Sequence, residues 1–429
     1  MTTVFSADWV LPVGAPPIAD GAVAIEDGRI AAVGTQDDLG RGFEYPDAAI
    51  LPGFVNAHSH LEYAVYAGFG DGLAFVPWIT THMERKRRLE RVDHLDVARL
   101  GVAESLASGI TTTGDASFTG AAAEACATLG LRAIVYLETF GDEAAATLAI
   151  FEDKRFETSD LVRLGVSPHA PYTVSLAAYE ACKTLGLPTA THLAESEAED
   201  AYVCRGEGPM AAFGEILVAP YGQTAIRALA ARSLLTPGLV AAHCVTADDE
   251  EIALLAGHGV SVAHCPRSNA LLGCGIAPLR GFLDAGMTVG LGTDSPASTP
   301  SFDMFEELRA ALFFARARER RPDALSAAEA LELATLGSAR ALGLGDEVGS
   351  LEPGKRADLL VLSLEGSPFL PWEDPAAAVV LGGSPGRVAA TVVGGEVRYE
   401  RGAFDWHELR QRGTSARDRL LGLPASPRA

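Results

Sequence analysis

The sequence predicts an α/β protein: a (β/α)8 TIM-type barrel joined to a small composite β-sandwich domain made from the two ends of the chain. Three observations predict it. Eight short β-rich runs alternate with Ala-, Leu- and Glu-rich stretches of helical pattern through the middle of the 429 residues, and strands alternating with helices imply a parallel sheet. The two ends are β-rich and lack such helices. Six of the ten histidines fall at the same end of the predicted strands, which is where barrel enzymes carry their chemistry. The expected division is 1–50 with 349–429 as the composite domain, and 51–348 as the barrel.

The N-terminal part opens the argument for that division. Ala22-Val23-Ala24-Ile25 and Ile30-Ala31-Ala32-Val33 flank Glu26-Asp27-Gly28-Arg29, an acidic-Gly hairpin signal. The barrel strands are expected at Ile50–Ala57, Ile110–Asp115, Arg132–Glu138, Val162–Pro168, Pro188–Leu193, Leu239–Cys244, Val260–Cys265 and Thr288–Asp294. Helical patterns lie between them at Leu95–Ser108, Ala121–Leu129, Leu176–Leu185, Asp248–His258 and Pro278–Ala285. Two more, around Phe302–Arg318 and Ser326–Leu342, complete the barrel. Residues 357–362 and 388–400, with a Gly394-Gly395 turn, return the chain to β structure. A doubly wound open sheet is the competing architecture. It lacks support because no G-x-G-x-x-G run follows the first strand.

Composition narrows the function classes. A 48% hydrophobic share with 21% charged residues describes a globular chain with a substantial core. The 34 basic and 56 acidic side chains leave a net charge of −22. That disfavours nucleic acid, whose phosphates need a basic face, and equally an anionic membrane surface. No stretch of apolar residues reaches the length of a transmembrane helix, and Met1–Leu11 does not read as a signal peptide. Six dispersed cysteines without a C-x-x-C pair point to a reduced, cytoplasmic protein.

His58-Ser59-His60 is the first metal candidate, because residues i and i+2 of a strand share a face. Alone, the pair could equally be two polar residues at a loop start. His192 and Asp294 at other strand ends add a third imidazole and a carboxylate, a zinc-type donor set with room for water. Glu195 follows His192 by three residues. It is either a first-turn helix acid or, beside a metal, the proton shuttle that hydrolytic attack needs. His243 is either a rim histidine or a group that orients the attacking water. His169 is expected to contact substrate, and His264 is open between structure and function. Trp78, in Phe75-Val76-Pro77-Trp78, is either core or a wall of the pocket. His82, His94, His258 and His407 are expected to be solvated, and Glu84-Arg85-Lys86-Arg87-Arg88 to be an exposed charged face. His60-Leu61-Glu62 also reads as H-x-E, the opening of the cytidine-deaminase zinc signature. The required P-C-x-x-C is missing, since Cys265-Pro266 stands in the reverse order.

Leu51-Pro52-Gly53-Phe54-Val55-Asn56-Ala57-His58-Ser59-His60 resembles the opening of the amidohydrolase superfamily. Gly292-Thr293-Asp294-Ser295 resembles its last-strand ligand, and the segment from Gly349 to Leu359 resembles its return to the composite domain. His-Leu-Ala-Glu, Ala-His-Cys and Cys-Pro-Arg-Ser-Asn are similar to the branch of cytosine-, guanine- and adenosine-type deaminases and chlorohydrolases. The resemblance implies metal ligands His58, His60, His192 and Asp294, catalytic Glu195, His243 and Asp294, and substrate contact at His169. With no Lys ending the fourth strand, it implies one divalent ion, Zn2+ or alternatively Fe2+. It implies a hydrolytic deaminase releasing ammonia from a nucleoside or heterocyclic amine, and homodimers are common in the superfamily.

Leu61-Glu62 after the H-x-H pair resembles the aminodeoxyfutalosine deaminases of menaquinone biosynthesis, with Glu62 either on ribose or ring or a surface acid. Methylthioadenosine or S-adenosylhomocysteine, guanine, pterins and triazine chlorides are the alternative substrates. An amide or carbon–halogen hydrolase on the same site is another reading, and a non-catalytic interaction protein would have lost ligands that are all present here.

Overall fold

The computed structural model describes residues 2–423. Four strands open the chain: β1 (Thr3–Val10), β2 (Ile18–Glu26), β3 (Arg29–Thr35) and β4 (Phe43–Pro52). Asp27 and Gly28 turn β2 into β3 with φ of 49° and 74°, the positive-φ pair that a tight hairpin requires. The barrel strands follow: β5 (Phe54–Ser59), β6 (Ile110–Ser117), β7 (Arg132–Thr139), β8 (Val162–Pro168), β9 (Thr189–Leu193), β10 (Leu239–His243), β11 (Ser261–His264) and β12 (Val289–Leu291). They lie side by side in chain order, and each assigned pairing is parallel. A parallel bridge between Ser59 and Asp294 brings the last strand back to the first. β13 (Leu359–Ser363), β14 (Val388–Val393) and β15 (Glu396–Glu400) then return to the opening strands.

The composite domain is one seven-stranded mixed sheet in the order β15-β14-β13-β4-β1-β2-β3. Strand alternation divides its faces. Phe5, Val23, Ile50, Leu359, Val361 and Val392 form a core within the domain. Ala49, Leu51, Leu360 and Leu362 point the other way and join the core of the barrel. The sheet is thereby fixed to the bottom of the barrel by residues of the same strands that build it.

The run from Ile50 to Ala57, expected to be one strand, is divided at Gly53. Leu51 pairs with Leu360 in the composite sheet, whereas Phe54 pairs with Ile110 in the barrel. Only glycine fits the joint, since a Cβ there would stand 2.1 Å from the Thr111 side chain. The helix at Ala121–Leu129 occupies its expected span. The one expected from Ser326 to Leu342 is broken by a π-turn at Leu333–Gly337.

Among the helices whose spans the sequence expectations did not give, two matter for the site and the domain plan. Phe75–Lys86 carries Pro77 in its first turn, where the missing N–H would be unpaired anyway. His407–Leu421 ends the described chain. It lies on the barrel rather than on the sheet: Arg419 pairs with Asp93, and Arg417 donates to the Val65 carbonyl at 2.9 Å. No helix among the described residues is long and apolar enough to cross a membrane.

Candidate functional site

The strand ends bring His58, His60, His192 and Asp294 together, all buried, with one donor atom from each within 4.8 Å of the others. His60 Nε2 lies 3.2 Å from His192 Nε2, and Asp294 Oδ1 lies 3.5 Å from both His58 Nε2 and His60 Nε2. His58 Nε2 is buried and makes no hydrogen bond. Burial, followed by the neighbouring His58, holds His60 well below the usual imidazole range and lowers His192 to about 3. Three imidazole nitrogens and a carboxylate oxygen gathered about one point fit a divalent cation.

The surrounding groups fix the orientation of these donors. His192 Nδ1 donates to the His169 carbonyl at 2.8 Å, which leaves the Nε2 lone pair free for a metal. Asp294 Oδ2 accepts from Ser268 Oγ at 2.5 Å and Ser298 Oγ at 2.7 Å, so Oδ1 is the oxygen left for the ion. Burial alone would raise this carboxyl, but His58, His243 and His60 hold it well below the carboxylate range. Asp115, at the end of β6, accepts from Leu61 N at 2.7 Å and Ser59 Oγ at 3.1 Å. That pins the turn of the H-x-H pair. Below it, Gly292 packs against His58, where a Cβ would stand 2.8 Å from the His58 Cβ.

Glu195 Oε1 lies 3.7 Å from His243 Nε2. Burial, reinforced by Asp294, raises the Glu195 carboxyl well above its usual range. The turn bearing it is held by Glu199, which accepts from Ala194 N at 2.9 Å and Glu195 N at 3.0 Å. His243 Nδ1 faces Asn269 Oδ1 at 2.9 Å. The amide oxygen makes Nδ1 the protonated nitrogen, so Nε2 presents a lone pair. His243 and Asp294 adopt positive φ of 74° and 56°, a conformation costly for residues with a Cβ and concentrated at functional sites.

A cavity of about 570 Å3 opens over these groups, within the range of about 300–1,000 Å3 for small-molecule sites. Trp78 and His169 line it, with His60, His192, Glu195, His243 and Asp294 at its floor. Trp78 Nε1 donates to the Ala297 carbonyl at 2.9 Å. His169 Nδ1 bonds Thr173 Oγ1 at 2.7 Å. His264 is buried outside the cavity wall.

Glu62 is not brought to the cavity. Its carboxylate is buried and accepts from Ser117 Oγ at 2.5 Å, Thr119 N at 2.9 Å and Ala121 N at 3.0 Å. These donors mark the start of the 121–129 helix, so the acid satisfies a helix end and stands outside the cavity lining. The surface acid reading fails as well, since Glu62 is 1% exposed.

Other expectations also change. His82 and His94, expected to be solvated, are buried. His82 stacks on Trp78 at 5.6 Å, on the inner face of the 75–86 helix. Lys86, expected on an exposed face, lines the cavity on that same helix face, one helical turn past His82. Glu138 at the end of β7 lines the cavity too. Its strand was legible, but nothing in the sequence singled out its last acid.

The model of the amidohydrolase family matches residues 49–398, and that of the bacterial imidazolonepropionase-like composite domain matches residues 21–42. A 5-methylthioadenosine/S-adenosylhomocysteine deaminase of Nitratidesulfovibrio vulgaris is 34% identical over 423 residues, covering 93% of this chain and 92% of its own. A 5'-deoxyadenosine deaminase of Methanothermobacter thermautotrophicus is 31% identical, covering 90% and 91%. Among solved structures, an adenosine deaminase from Xanthomonas campestris with bound zinc superposes with a TM-score of 0.87 at 30% identity, covering 98% of this chain and 99% of its own. The atrazine chlorohydrolase of Arthrobacter aurescens complexed with zinc gives 0.83 at 25% identity, covering 97% and 100%.

Proposed function

This chain belongs to the amidohydrolase family, and we propose that it is a zinc-dependent deaminase of adenine nucleosides, replacing the ring amine with a carbonyl and releasing ammonia. The observation that carries this reading is the buried Glu195 carboxyl standing 3.7 Å from His243 Nε2 over the His58, His60, His192 and Asp294 cluster. A proton donor beside a proton acceptor is what hydrolytic loss of an amine needs. The relatives named for 5-methylthioadenosine, S-adenosylhomocysteine and 5'-deoxyadenosine deamination support an adenine nucleoside. They favour a nucleoside altered at the 5' side, a class that includes aminodeoxyfutalosine.

His58, His60, His192 and Asp294 would hold the ion. When bound, a divalent cation supplies Lewis acidity that brings its water toward a pKa of ~7. Glu195 gives its proton to the ring nitrogen next to the amine-bearing carbon, which makes that carbon electrophilic. The water oxygen adds there, and its first proton replaces the one Glu195 gave away. His243 Nε2 accepts a hydrogen bond from the added hydroxyl and orients it. The second proton passes from that hydroxyl through Glu195 to the amine. The carbon–nitrogen bond breaks, ammonia leaves and the ring carbonyl remains. Trp78 and the aromatic walls exclude bulk water, which strengthens each of these interactions.

The test is ammonia release from zinc-loaded protein offered adenosine, 5'-methylthioadenosine, S-adenosylhomocysteine, aminodeoxyfutalosine, guanine and atrazine. Turnover confined to adenine nucleosides is expected. Turnover of guanine or atrazine alone overturns the reading.

A further inference from the structure

Two ammonium groups flank the Phe118 ring of the cavity wall without an ion-pair partner among the described residues. Lys86 lines the cavity, its Nζ 3.6 Å from the centre of the Phe118 ring and 3.2 Å from Tyr63 Oη. Lys154 Nζ lies 5.0 Å from the same ring centre and donates to the Glu138 backbone carbonyl at 2.9 Å. Neither is ion-paired among the described residues. Burial lowers Lys86 to about 8 and also lowers Lys154. An enclosed cation that a neighbouring acid does not neutralise is costly. It is the more unusual in a chain with 56 acids and 34 bases.

The nearby acids do not supply the missing charge. Glu62 is committed to the start of the 121–129 helix. Glu138 sits in the same wall, but its carboxyl faces His169 Nε2 at 4.0 Å and forms no ion pair with either lysine. A path of rings connects this end of the cavity to the catalytic end. His169 lies 5.0 Å from Phe140, Phe140 lies 6.1 Å from Phe118, and Phe118 carries Lys86. Ring surface therefore lies between the cation and the metal ligands, with Tyr63 standing between Lys86 and His60 on the other side.

We infer that Lys86, with Lys154 behind it, forms an anion subsite that selects nucleosides bearing a carboxylate on an apolar arm. The inference rests on the deaminase reading and narrows its substrate class. The arm lies along Phe140 and Phe118, and its carboxylate meets the Lys86 ammonium. A monoanion suits the wall better than a phosphate dianion, because Lys86 supplies the one ammonium that lines it.

The experiment compares kcat/KM for aminodeoxyfutalosine, whose carboxylate sits on an aromatic arm, and for its carboxyl methyl ester, which keeps the arm and removes the anion. The parent protein is expected to prefer the acid by at least about tenfold, the cost of one lost charge-assisted hydrogen bond. In Lys86→Met that preference should fall to near one, and in Lys86→Arg most of it should return. Circular dichroism and zinc content establish that both variants are folded. A parent preference near one, or a preference unchanged in Lys86→Met, overturns the inference. Faster turnover of adenosine 5'-monophosphate than of the acid also overturns it, in favour of a phosphate site. If the parent deaminates no adenine nucleoside, the deaminase reading fails. The subsite is then read from calorimetric binding of the acid and the ester, and equal affinities discard it.

Discussion

His243 Nδ1 and Asn269 Oδ1 stand 2.9 Å apart, and this contact sets which nitrogen of the His243 imidazole carries its hydrogen. Replacing Asn269 with Ala removes the acceptor and releases the tautomer. Supporting groups of this kind are typically worth about 10–100-fold in activity. Asn269→Ala is expected to lower kcat by that factor with zinc content unchanged, and Asn269→Asp to retain more activity than Ala. Steady-state kinetics with metal analysis checks both.

Glu195→Gln keeps the shape of the side chain and removes its titrating proton. General acid–base catalysis contributes about 10²–10⁴-fold, so kcat should fall by that much while one equivalent of metal remains. Activity close to that of the parent would remove Glu195 from the proton path.

His58 contributes a buried Nε2 with no hydrogen bond of its own. His58→Ala should reduce metal content well below one equivalent, measured by elemental analysis after dialysis. Ser298→Ala is milder. It removes one of the two hydroxyls on Asp294 Oδ2 and should weaken metal affinity by about 10–100-fold. A chelator competition titration separates the two variants.

Glu104 gives a pH-dependent contribution to stability away from the chemistry. Burial raises its carboxyl to about 7, against the opposing hydrogen bond from Phe302 N. The folded form thus holds the proton more tightly than the unfolded form. Its stabilising effect is complete below the unfolded value near 4.5 and is lost as pH rises through about 7. Urea unfolding at pH 5 and pH 8.5 should show Glu104→Gln removing part of that decline, by about 2–3 kcal/mol at the higher pH.

The barrel strands were legible because each is a short apolar run closed by a polar residue. His169, His192, His243 and Asp294 could be placed at their ends for that reason. The 75–86 helix was not legible: Pro77 and the glycines before it read as loop, and only the fold brings Trp78, His82 and Lys86 to one face over the cavity. Ser268 and Asn269 stood inside a recognised motif, Cys-Pro-Arg-Ser-Asn, yet their partners Asp294 and His243 are 26 residues away in each case. Ser298 and Asp115 carry no sequence signal, since one hydroxyl or acid among many becomes distinctive only through its partner. Glu62 misled by adjacency. It follows His60 by two residues, but the 3-10 turn at Leu61–Tyr66 carries it toward a helix end.

Asn56 and Thr293 lock together through two hydrogen bonds, at 2.7 and 3.0 Å, across 237 residues of sequence. They sit on either side of the line where the barrel's last strand meets its first, which Asp294 N crosses to bond the His58 carbonyl at 2.9 Å. The metal donors are divided by that same seam: His58 and His60 on one bank, Asp294 on the other. An ion held by all three is therefore a rivet through the closure of the cylinder as well as a reagent. Zinc should raise the melting temperature in proportion to its binding free energy. It should also slow amide exchange most at Asp294 and its neighbours, where the two ends of a rolled sheet have been persuaded to stay together.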